Sequence, residues 1–389
     1  MNKKLNTKGI AVITNSLLGG GTEKMVIELC YYLVLEKKRS VTLVLLENKK
    51  DFNIKALDNL KIIYLTKTKR INGLIRNFLI PYYSLKYYYL IRKNNCEVSL
   101  SFLPTPNYIN IIGNRFFRSN VKTVINERSY PSTEYKSKSF RSLINKFLIK
   151  NLYNYSDLLI SNSIGNANDL KVNFKITKPI EIIYNPVWKT STKNLKTRST
   201  SKEFNKEKIN FVTIGRLDKN KNHIALINII EQLGSSKVNL YILGKGDQES
   251  ELIKAITDKK LQEQIFLLGF KSNPEEYLRK ADAFLFSSKS EGFPNVLLES
   301  LANNLPIISY NCKSGPDEIF FNEPLEINTC KISKIGILVP MSNQNEFVNA
   351  IKYFIANKDK FNDVLDFDLI LKKYTQKNTL EKFYNRITN

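Results

Sequence analysis

ADAFLFSSKSEGFPNVLLESLANNLPIISYNCKSGPDEI, residues 281–319, decides the fold. Residues 281–287 form a short apolar run bounded by Ser and Lys, the pattern of a buried strand. A loop over 288–293 carries Glu291 and Gly292. Pro294 stands where a helix begins, its fixed φ suited to a first turn. Val296, Leu297, Leu298, Leu301 and Ala302 then recur at helical spacing through residue 303. A second apolar run covers 305–310, and Gly315-Pro316 punctuates the next loop. Strand, acidic loop, helix, strand is the repeat of an open α/β sheet, where ligands bind at the carboxyl ends of strands. A helix N-terminus there attracts phosphate. Glu291 and Glu299, eight positions apart, repel phosphate and suit hydrogen bonds from sugar hydroxyls. Either Glu alone reads more simply as a solvated residue.

The pair in its context reads differently. EGFPNVLLE resembles the E-x7-E signature of retaining glycosyltransferases with the GT-B fold, in particular family 4, glycosyl transferases group 1. The resemblance implies that Glu291 lies near the transferred sugar and that Glu299 holds the nucleotide ribose, with Asn295 and Val296 beside the donor. The continuation through Pro306 and SGPDEI resembles members that extend bacterial surface glycans. The expected fold class is therefore α/β, GT-B, with two Rossmann-like parallel-sheet domains facing across a cleft.

The chain has 389 residues, 42% hydrophobic and 25% charged, which suits two domains with real cores. Its 60 Lys+Arg against 36 Asp+Glu give a net charge of +24. Nucleic acid, an anionic membrane surface or a phosphorylated substrate would use that charge. An AT-rich genome, which enriches Lys, Asn, Ile and Tyr, accounts for part of it. Four widely spaced cysteines and one histidine exclude a structural zinc site and read as free buried thiols in a reducing compartment. No apolar run reaches 18 residues, and the N-terminal apolar run is too short for a signal peptide. No metal or other cofactor is expected; the nucleotide sugar is a co-substrate.

Strands are expected at 10–14, 41–46, 61–65, 98–103, 121–125, 158–161 and 180–184. The glycines after the first, Gly19, Gly20 and Gly21, allow close approach of a ligand to the backbone. With Glu23 they resemble the family's GGxE loop, which implies that Gly20 and Gly21 face the donor. Residues 67–93 interleave Lys67, Lys69, Arg70, Arg76, Lys86, Arg92 and Lys93 with Phe78, Tyr82, Tyr83, Tyr87, Tyr88 and Tyr89. They read equally as a helical segment lying in lipid headgroups or as a core helix with a wet basic face. Pro81 breaks or kinks the segment. The resemblance favours the anionic membrane surface. Glu127 and Arg128 end the strand at 121–125 and read as acceptor contacts or as a loop pair. A basic amphipathic stretch covers 136–155.

Polar residues 188–208 form the linker between domains 1–187 and 209–372, and a final helix over 373–389 is expected to return to the first domain. In the second half, strands are expected at 210–214, 238–243 and 265–268, with the last at 337–340. GRLDKNK resembles the family's GRLxxxK motif, which implies that Gly215, Arg216 and Lys221 meet the donor diphosphate. The two cations would supply the charge that Mg²⁺ gives elsewhere. The G-x-G at Gly244 resembles the family's loop near the nucleotide, and the resemblance implies that the backbone at Phe270 and Lys271, after another Gly, pairs with the base edge. His223 reads as a surface residue at a helix start. Some family members use a His in the first domain; here that role must be filled differently. Helices are expected at 343–356 and 368–386, and Asp366 with Asp368 reads as solvated surface.

The expected activity is retaining transfer of a hexose or N-acetylhexosamine from a nucleotide sugar, UDP-linked by resemblance. The acceptor is a glycan, lipid-linked, at the cytoplasmic face of the plasma membrane. The alternatives are a basic nucleic-acid-binding protein or a nucleotide-sugar epimerase. Neither explains Glu291 and Glu299 beside a phosphate track, and no nucleic-acid partner is expected.

Overall fold

The computed structural model describes residues 8–18, 20–49, 54–68, 73–188, 204–361 and 367–388. The chain divides into two compact units. One comprises Met1–Asn185 with Lys377–Asn389, the other Pro186–Gln376.

The first unit contains β1 (Gly9–Thr14), α1 (Gly21–Leu35), β2 (Val41–Leu45), β3 (Leu60–Tyr64), α2 (Gly73–Phe78), α3 (Ile80–Lys93), β4 (Cys96–Phe102), α4 (Pro104–Arg115), β5 (Lys122–Glu127), α5 (Pro131–Glu134), α6 (Phe140–Leu152), β6 (Leu158–Ser161), α7 (Ile164–Phe174) and β7 (Ile180–Ile182). The strands form one sheet in the order β3-β2-β1-β4-β5-β6-β7. All pairings are parallel. Every residue of β1 and β2 is buried, as expected of strands covered on both faces by helices. The order reverses between β1 and β4, and in open α/β sheets the crevice at the carboxyl ends of such a pair is where ligands ordinarily bind. Pro81 sits in the first turn of α3, where it lacks no donor, and the segment breaks at Leu79 between α2 and α3. Ser139 caps α6, its hydroxyl accepting from the Ser142 amide at 3.3 Å.

The second unit contains β8 (Ile209–Ile214), α8 (His223–Leu233), β9 (Val238–Leu243), α9 (Glu249–Asp258), β10 (Ile265–Gly269), α10 (Glu275–Leu278), β11 (Ala283–Phe286), α11 (Asn295–Leu301), β12 (Ile307–Tyr310), α12 (Pro316–Phe321), β13 (Lys331–Ser333), β14 (Gly336–Val339), α13 (Gln344–Ala356) and α14 (Phe367–Leu371). Its sheet order, β10-β9-β8-β11-β12-β14-β13, repeats the first, with the reversal between β8 and β11. Only β13 runs antiparallel. Its three residues were not expected as a strand. Lys331-Ile332-Ser333 is short and solvated, and it holds only to the edge of β14.

The expected helix over 368–386 is a second correction. The chain forms α14, a 3-10 turn at Lys372–Tyr374, and then α15 (Gln376–Thr388). The break follows from burial of Tyr374, whose ring meets Phe293 with centroids 5.7 Å apart, and from the pairing of Thr375 with Val187. Beyond it, α15 packs on the first unit. Phe383 meets Phe102 at 6.2 Å, and Lys382 pairs with Glu181 at 3.1 Å. Asp366 lies outside the described residues.

Burial pushes the thiols of Cys30 and Cys330 up to about 12 and that of Cys96 to about 11, so they stay protonated. All four cysteines are free; three are buried and Cys330 is partly so.

Candidate active site

Two loops leave the carboxyl ends of the adjacent strands β8 and β11 in the second unit. The first, after Ile214, carries Gly215, Arg216 and Lys221; the second carries Glu291. Hydrogen bonds stitch them together. Lys289 N–H donates to the Asn220 carbonyl at 2.8 Å, Asn220 Nδ2 donates to the Ser290 carbonyl at 2.8 Å, and Ser287 Oγ donates to the Lys221 carbonyl at 2.8 Å. From the other side, the Glu291 amide donates to the Lys313 carbonyl at 3.2 Å and Ser314 Oγ to the Gly292 carbonyl at 2.8 Å. The result is a charge pair held by backbone on both sides. Lys221 Nζ lies 2.6 Å from Glu291 Oε1, both side chains largely withdrawn from water. The carboxylate of Asp218 accepts from the backbone amides of Asn220 at 3.0 Å and Lys221 at 2.9 Å, which fixes the turn. Arg216 is exposed and stands 4.0 Å from Asp218.

The neighbouring loop presses close. Gly244 has φ +151, and a Cβ there would stand 1.9 Å from the Gly215 carbonyl oxygen. Only glycine permits this approach, which keeps the mouth of β8 open above the backbone. Asn295 and Val296 open α11, and Glu299 sits partly buried one turn on. Phe270 is exposed after β10, and Lys271 Nζ lies over the Tyr277 ring, 5.6 Å from its centroid.

His223 is buried, not on the surface as expected. A Cβ on Gly215 would meet Lys221 Cγ and Cδ at 3.3 Å and His223 Nε2 at 3.5 Å, so the imidazole and the lysine stem flank the same glycine. The ring lies against the backbone of Gly215 and Arg216. Burial, reinforced by Lys221, lowers the imidazole to about 4. The ring therefore stays neutral and adds no charge beside the lysine. Sequence reasoning missed this residue. Its position two after Lys221, at the start of an apolar helix, was the available signal.

In the first unit, Gly20 is the N-cap of α1 and Gly21 its first residue, while Gly19 lies outside the described residues. Glu127 has no exposure. Its carboxylate accepts from the amides of Arg128 at 3.0 Å and Ser129 at 3.1 Å and from the hydroxyls of Ser129 at 2.8 Å and Tyr153 at 2.6 Å. Arg128 is also buried. Its guanidinium bonds to Asn185 and lies over the Phe102 ring at 5.8 Å, and its Nη1 has no partner among the described residues. The side chains of Glu127 and Arg128 are therefore directed to separate partners. Burial lowers Arg128 to about 10, opposed by the charges of Glu23 and Glu127.

Residues 196–366 match the family described as glycosyl transferases group 1. A Campylobacter jejuni relative, N-acetylgalactosamine-N,N'-diacetylbacillosaminyl-diphospho-undecaprenol 4-alpha-N-acetylgalactosaminyltransferase, is 35% identical over 350 residues, 90% of each chain. The chain belongs to the glycosyl transferases group 1 family. The capsular polysaccharide biosynthesis glycosyltransferase CapH of Staphylococcus aureus is 26% identical over 308 residues, 76% of this chain and 79% of its own. Among solved structures, sucrose-phosphate synthase from Thermosynechococcus elongatus matches with TM-score 0.76 at 14% identity, over 97% of this chain and 98% of that one. Anabaena HepE in complex with UDP and glucose matches with TM-score 0.73 at 16% identity, over 98% and 100%. These likenesses show the GT-B fold.

This glycosyltransferase also carries a titrating group beside the first unit's strand ends. Burial pushes the Glu127 carboxyl from 4.5 up to about 7. The folded chain thus holds a proton that the unfolded chain has released. The stabilisation is complete below about pH 4.5 and is lost as pH rises through 7. Urea unfolding at pH 5 and pH 8 is expected to show wild type losing up to about 3 kcal/mol relative to Glu127→Gln, which is neutral throughout.

Proposed function

We propose that the enzyme moves a hexose or N-acetylhexosamine from a UDP-sugar, with retained configuration, to a lipid-linked glycan acceptor in bacterial surface-glycan synthesis. The observation that carries this reading is the Lys221–Glu291 pair, 2.6 Å apart, at the point where the second sheet reverses its strand order. Sugar diphosphates need both signs in one place. The cation answers the phosphates, and the carboxylate answers sugar hydroxyls. The C. jejuni relative, whose name specifies an N-acetylgalactosaminyl group and a diphospho-undecaprenol acceptor, supports the sugar and acceptor classes.

In this reading the donor separates Lys221 from Glu291. Lys221 turns to the diphosphate, with Arg216 closing over it from solvent. Glu291 takes hydroxyls of the transferred sugar, and Glu299 takes the ribose. The backbone at Phe270 and Lys271 meets the base. The bond from C1 to the phosphate oxygen breaks, and UDP leaves with the electron pair. An acceptor hydroxyl attacks C1 from the same face and its proton passes to the departing diphosphate. The two cations serve in place of a metal ion. In the first unit, Arg128 meets an acceptor phosphate, and Glu127 holds the loop beneath it. The described part of residues 67–93 rests on an anionic membrane at its cytoplasmic face; Lys69 and Arg70 lie outside the described residues. Among the described residues no helix is long and apolar enough to cross a membrane.

A thermal-shift screen against UDP-, GDP- and ADP-sugars tests the reading. A UDP-sugar is expected to raise the melting temperature, and Glu299→Ala is expected to remove the response. Silence toward every nucleotide sugar, together with salt-dependent binding of nucleic acid, would overturn it.

A further inference from the structure

Helix α6 is built inside out. Its inward row is Ser142, Asn145, Ile149 and Leu152. Two of the four are polar. Ser142 exchanges hydrogen bonds with the Ser137 and Ser139 hydroxyls at 2.7 and 3.0 Å, and Asn145 Oδ1 accepts from the Tyr108 hydroxyl at 3.1 Å. The outward row is Phe140, Leu143 and Phe147, exposed by 59%, 54% and 65%. Spacings of three and four put these three on one face. A surface helix ordinarily turns the opposite way, so an apolar outer face marks a contact with something other than water.

The charge carried by the helices on that side is of one sign, with Arg76 turned inward to pair with Glu47 at 3.6 Å. Residues 136–152 contain Lys136, Lys138, Arg141, Lys146 and Lys150 and no acidic residue. The same holds of α2 and α3, where residues 73–93 carry Arg76, Lys86, Arg92 and Lys93 and no acid. On these helices Phe78, Tyr82, Leu85 and Tyr89 point outward. The β3-to-β4 and β5-to-β6 connections cross the sheet in the same direction, so α3 and α6 lie in one layer, with α4 packed against both.

We infer that α6 is a second membrane-contacting element, seating Phe140, Leu143 and Phe147 at the headgroup–acyl boundary of an anionic bilayer alongside α2 and α3. A second copy of the chain would bring cationic surface against cationic surface. A nucleic acid would answer the lysines and leave the phenylalanines in water. An anionic bilayer answers both. The inference rests on the proposed membrane reading of residues 67–93 and adds a consequence. A single interfacial helix lets the unit roll about the helix axis, and two rows side by side fix its orientation.

The test is flotation of the full chain with phosphatidylglycerol–phosphatidylcholine vesicles. The variants are Phe140→Ser/Leu143→Ser/Phe147→Ser and, separately, Tyr82→Ser/Tyr89→Ser. All five positions are exposed, and melting curves are expected to match wild type. The α6 variant is expected to bind at least about tenfold more weakly, while transfer to a water-soluble acceptor is unchanged. Vesicle binding equal to wild type by the α6 variant overturns the inference. If the Tyr82/Tyr89 variant is then defective, the reading of 67–93 stands without it; if neither variant is defective, both fall. A change of oligomeric state in the α6 variant with unchanged vesicle binding assigns the face to a second copy and also overturns it.

Discussion

Lys221→Met is expected to slow sugar transfer about 100- to 1,000-fold while leaving the chain folded, the loss typical of removing one preorganised group from developing charge. The methionine keeps the stem that packs against Gly215 and removes only the amine 2.6 Å from Glu291. Lys221→Ala is expected to lose at least as much, because the stem goes too. Steady-state assays should show the loss in kcat as well as in kcat/KM, since the departing diphosphate gains charge as the bond breaks. A melting temperature within a few degrees of wild type separates this from unfolding. Normal turnover in the methionine variant would remove Lys221 from the mechanism.

Gly244→Ala is expected to give the largest structural effect in the site. The added methyl would lie 1.9 Å from the Gly215 carbonyl oxygen and 2.9 Å from its carbon, and both atoms are backbone. The strand end cannot yield without losing the hydrogen bonds from Gly215 N–H to Leu243 at 3.0 Å and from Gly244 N–H to Gly269 at 2.9 Å. Strain and lost bonds together amount to about 3 kcal/mol, a fall of roughly 10 °C in melting temperature for a unit of this size. The thermal response to UDP-sugar is expected to vanish with it, because the loop bearing Arg216 and Lys221 starts at Gly215. Gly234→Ala is the contrast. That glycine also has positive φ, +61, but open space around it. Its cost is expected near 1 kcal/mol with the UDP response intact.

The strands were legible because parallel strands covered on both faces carry unbroken apolar runs, as in residues 240–243 and 158–160. The edge strand Lys331–Ser333 was not, because it draws its order from β14 rather than from its own side chains. The break at Tyr374 was hidden for a similar reason: the residues that stop the helix, Phe293 and Val187, are distant in sequence. At the site, the glycines and charges were legible only through their resemblance to the family's motifs; alone, they are ordinary for a Lys-rich chain. That Lys221 and Glu291 touch required β8 and β11 to be neighbours, which only the strand order supplies. The burial of His223 had no composition signal, since an imidazole after two polar residues reads as surface. Nor does the spacing of Phe140, Leu143 and Phe147 tell which way the helix faces; that is decided by Ser142 and Asn145 finding partners inside.

The ion pair at the strand ends also bears on what the enzyme ignores. A cell holds millimolar phosphate and acidic metabolites, and an unguarded lysine above a strand end would sample all of them. Here the amine is already answered by Glu291 at 2.6 Å. A lone anion that drew the lysine away would strand a largely buried carboxylate, and its net gain would be small. A nucleotide sugar brings hydroxyls for that carboxylate in the same binding event, so the exchange is complete. On the proposed reading the pair would act as a filter on chemical composition: a ligand would have to carry phosphate and polyol together to displace it, and simple anions would pass the site by.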